Sequence, residues 1–236
     1  MRLILNGGGS DKQVAESYRL FANLSGKGKI MYIPLAWYNG SYEDCLSFLS
    51  EQLKPYGITD IDLITDANQI TTERLGKAAG IFIGGGNTFK LLKMLKDTSA
   101  FETLAKFVKN TDTVVMGGSA GALIWGKSID SCKDDGLGLK YICDVNNVGL
   151  KDSSGFDFLN GYSLIVHYKK VEEQNALTEK RIKRLLKQGY KLICLPEETS
   201  LYLDNGTVTF IGTKPAEKIE SENKRTIYNP RDNSTI

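Results

Sequence analysis

The sequence predicts a three-layer α/β fold: a mostly parallel central sheet covered by helices on both faces, with a C-terminal hairpin. Three observations carry the prediction. Short apolar runs of about four to six residues alternate with helix-period segments through the first half. Three of those runs end in glycine clusters, at residues 7–9, 84–86 and 117–121. Near the end, Asn205-Gly206 lies between alternating apolar residues, the strongest short hairpin signal in the chain.

In chain order, Arg2–Asn6 reads as a buried strand ending at Gly7. Ser10 or Asp11 then caps a helix whose apolar face is Val14, Tyr18 and Phe21. Lys29–Pro34 is a second strand, Ser41 caps a helix running through Leu53, and Ile58–Leu63 is a third strand. Ile81–Ile83 forms a fourth and runs into Gly84-Gly85-Gly86, with Asn87 placed to cap the helix TFKLLKML. A further helix spans the region of Phe101–Lys109, and Thr113–Met116 is the fifth strand, cut off by Gly117-Gly118-Ser119-Ala120-Gly121.

The second half is less regular. Residues 127–160 are rich in Asp, Asn, Gly and Ser. Ser163–Tyr168 reads as a strand carrying the histidine, Thr178–Gln188 as a basic amphipathic helix, Lys191–Leu195 as a buried strand and Leu201–Ile211 as the hairpin. With no repeat, low-complexity tract or linker, residues 1–236 read as one domain.

Composition removes several function classes. Thirty basic and 28 acidic residues give a net charge of +2, too balanced for a nucleic-acid footprint. The single histidine, His167, excludes a zinc site built on two or three histidines, and the four cysteines contain no CxxC pair. No run approaches the roughly 18 apolar residues of a membrane span. The opening MRLILNGGGS is too short in apolar residues for a signal-peptide core, so a cytoplasmic protein with reduced thiols is expected. Asn6-Gly7-Gly8-Gly9-Ser10 lacks both GxGxxG spacing and a Walker lysine, and no cofactor or metal is expected.

Ligands of open α/β sheets bind beyond the carboxyl ends of the strands. There, Gly117–Gly121 sets Ser119 at the centre of a Gly-x-Ser-x-Gly pattern, whose small neighbours allow the tight turn that lifts a hydroxyl clear of the sheet. The same residues would also serve as a phosphate-cradling turn. A serine needs a base to take its proton, and for Ser-His chemistry His167 is the only histidine available. Gly84–Asn87 is the adjacent element from which a second oxyanion donor would come.

IFIGGGNTFKLL, then VVMGGSAGA, then GFDFLN before a strand ending in histidine, then LPEE, closely resembles the dipeptidase E and cyanophycinase group of serine peptidases, over about residues 30–215. The resemblance implies a flavodoxin-like sheet related to class I glutamine amidotransferases and a serine peptidase acting on small peptides through an acyl-enzyme. Ser119 is then the nucleophile, His167 the general base, and Gly86 and Ala120 the oxyanion N–H donors. For the third member, the ungapped run from Ser119 places Asp134 at the family's aspartate, with Asp135 one residue on; reading backward from GFD puts Asn147 there, with Asp144 nearby. The ungapped run selects Asp134. Asn87 and Glu197 are expected to touch substrate, Glu197 as acceptor for an ammonium. Leu123 and Thr178 stand where the aspartyl dipeptidase pattern has asparagine and arginine, which sets this chain apart from a preference for N-terminal aspartate. An esterase-type serine hydrolase, or a small-ligand binder with weakened catalysis, are the alternatives; a homodimer is left open.

Overall fold

The computed structural model describes residues 1–139 and 141–235. The first half alternates as expected: β1 (Arg2–Asn6), α1 (Ala15–Leu24), β2 (Ile30–Ile33), α2 (Tyr42–Leu53), β3 (Ile61–Leu63), α3 (Thr72–Leu75), β4 (Gly80–Ile83), α4 (Thr88–Lys96), α5 (Ala100–Asn110) and β5 (Val114–Gly118). A single turn, α6 (Ala120–Leu123), follows Ser119. The second half supplies β6 (Tyr162–Ile165), α7 (Asn175–Lys187), β7 (Lys191–Cys194) and five further strands, β8 (Thr199–Asp204), β9 (Thr207–Gly212), β10 (Ala216–Ser221), β11 (Lys224–Tyr228) and β12 (Asn233–Thr235).

Helix starts follow local chemistry. The Ser41 hydroxyl accepts from Asp44 N while the Asp44 carboxylate accepts from Ser41 N, a reciprocal box at the head of α2. Asn87 Oδ1 accepts from Lys90 N at the head of α4.

Eight strands form the large sheet in the order β12-β9-β8-β1-β5-β4-β2-β3. The pairs β1–β5, β5–β4, β4–β2 and β2–β3 are parallel. Alternate side chains bury on opposite faces. Leu3, Leu5, Ile33, Ile83 and Val115 pack with α4, α5 and α6, whereas Ile4, Tyr32, Phe82 and Met116 pack with α1 and α2. Buried on both faces, these strands read as continuous apolar runs, which is why they were legible.

The hairpin forms as expected, with Asn205 at φ 47° and Gly206 at φ 93°, both left-handed as a two-residue turn requires. It does not end the fold. β8 pairs antiparallel with β1 and extends the central sheet, and the chain then continues through β10 and β11, which join β7 and β6 in a separate four-stranded sheet. AEKIES buries only Ala216 and Ile219, KRTIY is mostly exposed, and neither has a long apolar run, so the sequence carries little signal for them. The strand expected over Ser163–Tyr168 stops at Ile165. Beyond it the backbone turns, and His167 sits at φ 53°.

Candidate active site

Ser119 occupies the turn between β5 and α6 at φ 51°, ψ −111°. A side chain held there costs about 1–3 kcal/mol, strain that the flanking sheet and helix must support. Gly86, at φ 136°, follows β4; a Cβ on it would stand 2.3 Å from the Ala36 carbonyl oxygen, so only glycine fits. These strand ends adjoin because β4 and β5 pair in register from Gly80↔Val114 to Ile83↔Gly117.

His167 arrives from the second sheet. Its backbone N–H donates to Gly7 O at 2.7 Å, docking it beside the end of β1. Gly8, at φ 109°, lies against the imidazole; a Cβ there would be 2.1 Å from Cε1. Ser119 Oγ stands 2.9 Å from His167 Nε2. On the other edge of the ring, His167 Nδ1 is 2.6 Å from Glu197 Oε1. The arrangement has the Nδ1–H donating to the carboxylate, which leaves Nε2 free to accept from the serine hydroxyl.

Glu197 is set by long-range pairing. β6 and β7 run parallel with Ile165 opposite Cys194, and Leu195 N donates to Ile165 O. The residues just past those strand ends therefore face each other. Lys170 Nζ also reaches Glu197 Oε1, at 2.6 Å. Burial alone would push the Glu197 pKa up, but the hydrogen bonds from His167 and Lys170, with the positive charge of Lys170, outweigh it and hold the carboxyl at about 2. Lys170 in turn lies 4.0 Å from the centre of the exposed Tyr141 ring.

Asp134 is not at the imidazole. Its Oδ1 accepts from Gly136 N in an exposed turn, and it lines a separate cavity with Asp135, Arg181 and Arg184. The ungapped run failed because residues 127–160 fold as a loop whose path local spacing does not determine. Asp135 pairs with Arg181 and Arg184. Asp144 accepts from Thr88 N and Thr88 Oγ1, and burial raises its pKa against those bonds. Asn147 N donates to Val145 O. None of these takes the place on Nδ1.

Asn87 does not line the cavity over Ser119 either. Its Oδ1 caps α4 and its Nδ2 donates to Val145 O, so both ends of the amide are committed. Glu197, expected to meet a substrate ammonium, is instead engaged by His167 and Lys170. The signal that could have placed it was already present: LPEE follows a buried strand, at the same kind of carboxyl end that carries Ser119. Leu123 is buried in the core and Thr178 Oγ1 donates to Gln174 O; neither lines the cavity.

A cavity of about 510 Å³ opens over Ser119, bounded by Gly84–Gly86, Gly118, His167 and side chains of α1 and α2. Among the described residues, no group of three or more His, Cys, Asp and Glu side chains is placed to hold a metal ion. No helix among them is long and apolar enough to cross a membrane.

Residues 3–211 match the model of peptidase family S51. The chain belongs to that family. It is 29% identical over 203 residues to Peptidase E of Salmonella arizonae, covering 82% of this chain and 81% of the relative. Peptidase E of Salmonella typhimurium LT2 is 28% identical over 201 residues, with the same coverage. Among solved structures, a peptidase from an acI-B1 actinobacterium superposes with a TM-score of 0.73 at 19% identity, covering 100% of this chain and 96% of that one. A candidate Peptidase E from Listeria monocytogenes EGD-e gives 0.69 at 22% identity, covering 90% and 98%. These two likenesses bear on the fold. The S51 fold here is therefore a mixed α/β architecture around a large, mostly parallel sheet, as the motifs implied.

Proposed function

We propose that this S51 chain hydrolyses small peptides, dipeptides among them, by serine acyl transfer with Ser119, His167 and Glu197 as a triad. The observation that carries the reading is the unbroken chain from Ser119 Oγ to His167 Nε2 at 2.9 Å and from His167 Nδ1 to Glu197 Oε1 at 2.6 Å. In the first step Ser119 Oγ attacks the scissile carbonyl carbon as its proton passes to Nε2. The electron pair of the carbonyl moves onto oxygen, and the backbone N–H groups of Gly86 and Ala120 are the proposed donors to it.

Collapse of that intermediate expels the amine, which takes the proton from Nε2. Water then attacks the acyl-enzyme, giving its proton to Nε2, and the second collapse returns that proton to Ser119. Glu197 stays ionised throughout; it holds the imidazole in the tautomer that presents a lone pair to serine and stabilises the imidazolium. A cavity of about 510 Å³ is of the size that takes a small ligand and is far too small for a folded protein.

A dipeptide panel incubated with the wild-type chain, Ser119→Ala and His167→Ala tests the proposal. Hydrolysis by the wild type that is abolished in both variants is expected. Turnover retained in Ser119→Ala would overturn the nucleophile.

A further inference from the structure

The cavity is asymmetric about Ser119, and the asymmetry has chemical content. β1 lies on one side of β5 and β4 and β2 on the other. His167 docks on the β1 side, through Gly7, so the group that receives its proton, the leaving amine, belongs on that side. The acyl portion of the substrate then extends over the ends of β4 and β2. There the wall includes Tyr18, Tyr32, Trp37, Phe48, Leu49 and Phe82. Tyr18, Tyr32, Leu49 and Phe82 are nearly inaccessible, whereas Phe48 is 56% exposed at the mouth, a large apolar side chain left facing solvent.

Charge points the same way. No Lys or Arg lines the cavity among the described residues. Lys90, at the start of α4, donates to the Trp37 carbonyl and to Tyr42 Oη, and Lys170 is bound to Glu197. Among the described residues the one carboxylate in the wall is Asp44, exposed and held ionised by hydrogen bonds from Ser41. Trp37 Nε1 is a buried donor without a protein partner, able to meet a carbonyl but supplying no countercharge. An acidic acyl side chain placed here would lose water, gain no cation and face Asp44.

We infer that the acyl-side pocket of this chain selects an aromatic or large aliphatic side chain, on the evidence of the aromatic wall on the β4–β2 side of Ser119 and the absence of any lining cation among the described residues. The inference rests on the proposed role of Ser119 as nucleophile. It separates this chain from a peptidase that recognises an acidic residue at the same place.

The test uses diphenyl aminoalkylphosphonates that differ only in the side chain, benzyl, isobutyl or carboxymethyl. Ser119 Oγ forms a bond to phosphorus, phenoxide leaves, and the serine proton reaches it through His167. The rate of the resulting mass increase is followed on the intact chain. A small ethyl fluorophosphonate, which loses fluoride on the same attack, reports the nucleophile alone. The benzyl and isobutyl probes are expected to label about 100-fold faster than the carboxymethyl probe. Phe48→Arg, at an exposed position, is expected to narrow that ratio about 10-fold by supplying a cation at the mouth. Equal or faster labelling by the carboxymethyl probe, with the ethyl probe still reacting at Ser119, overturns the pocket assignment and leaves the nucleophile standing. Failure of the ethyl probe at Ser119 overturns the nucleophile, and the pocket assignment with it.

Discussion

Ser119 and Gly86 stand at the ends of parallel strands in the large sheet, whereas His167 and Glu197 follow the carboxyl ends of β6 and β7 in the small one. The two halves of the site are built by different means. In the large sheet the work is local: glycine clusters, a strained serine and short connections fix Ser119 within a few residues of its own strand. In the small sheet it is non-local, because Glu197 meets His167 only after β6 and β7 pair. The comparison teaches that a strand-end serine can be placed from a motif, while the contact between His167 and Glu197 depends on register between segments about 30 residues apart.

If the halves act as one unit, breaking either should cost nearly the same. Ser119→Ala and His167→Ala are each expected to lower kcat/KM by about 10⁵–10⁶-fold, and the double variant to be scarcely worse. Steady-state hydrolysis checks this; additive losses would mean that serine and histidine act separately.

The seam between the halves is Gly8, whose missing Cβ makes room for the imidazole. Gly8→Ala is expected to push the ring off Ser119 and slow acylation about 100-fold, since misplacement by about 1 Å costs that much. Gly136→Ala, in the loop at Asp134 and clear of any neighbour, should leave the acylation rate unchanged within about twofold.

How far the sequence reached follows the same division. β1 and the hairpin turn at Asn205-Gly206 were legible to the residue because each is specified locally, by an apolar run or by left-handed turn residues. The positions of Ser119, Gly86 and His167 past strand ends were legible because each follows such a run. Asp134 was misplaced because spacing along an irregular loop says nothing about where its turns lead. Glu197 was noticed but given the wrong partner, its true one being set by a parallel pairing that has no sequence signature of its own. β10 and β11 were missed because polar residues dominate both, with only Ala216 and Ile219 of β10 buried and β11 largely exposed, so neither shows an apolar run.

A smaller effect should appear in stability against acid. The Glu197 carboxyl is held at about 2, below its ordinary range near 4.5, so its contribution is complete above that range and is lost as the pH falls toward 2. Urea unfolding across that window should show a pH-dependent loss of about 1–3 kcal/mol in the wild type that is absent from Glu197→Gln. Parallel curves for the two proteins would mean that the carboxylate has no such interaction in solution.

The role of the small sheet rests most directly on which carboxylate orients His167. The decisive measurement is the rate of Ser119 phosphonylation by ethyl fluorophosphonate in the wild type, Glu197→Gln and Asp134→Asn. Glu197→Gln is expected to slow labelling by about 1,000-fold or more, as loss of the orienting acid does in serine triads, with Asp134→Asn within about twofold of wild type. The reverse pattern, a large loss in Asp134→Asn and little change in Glu197→Gln, would contradict the account.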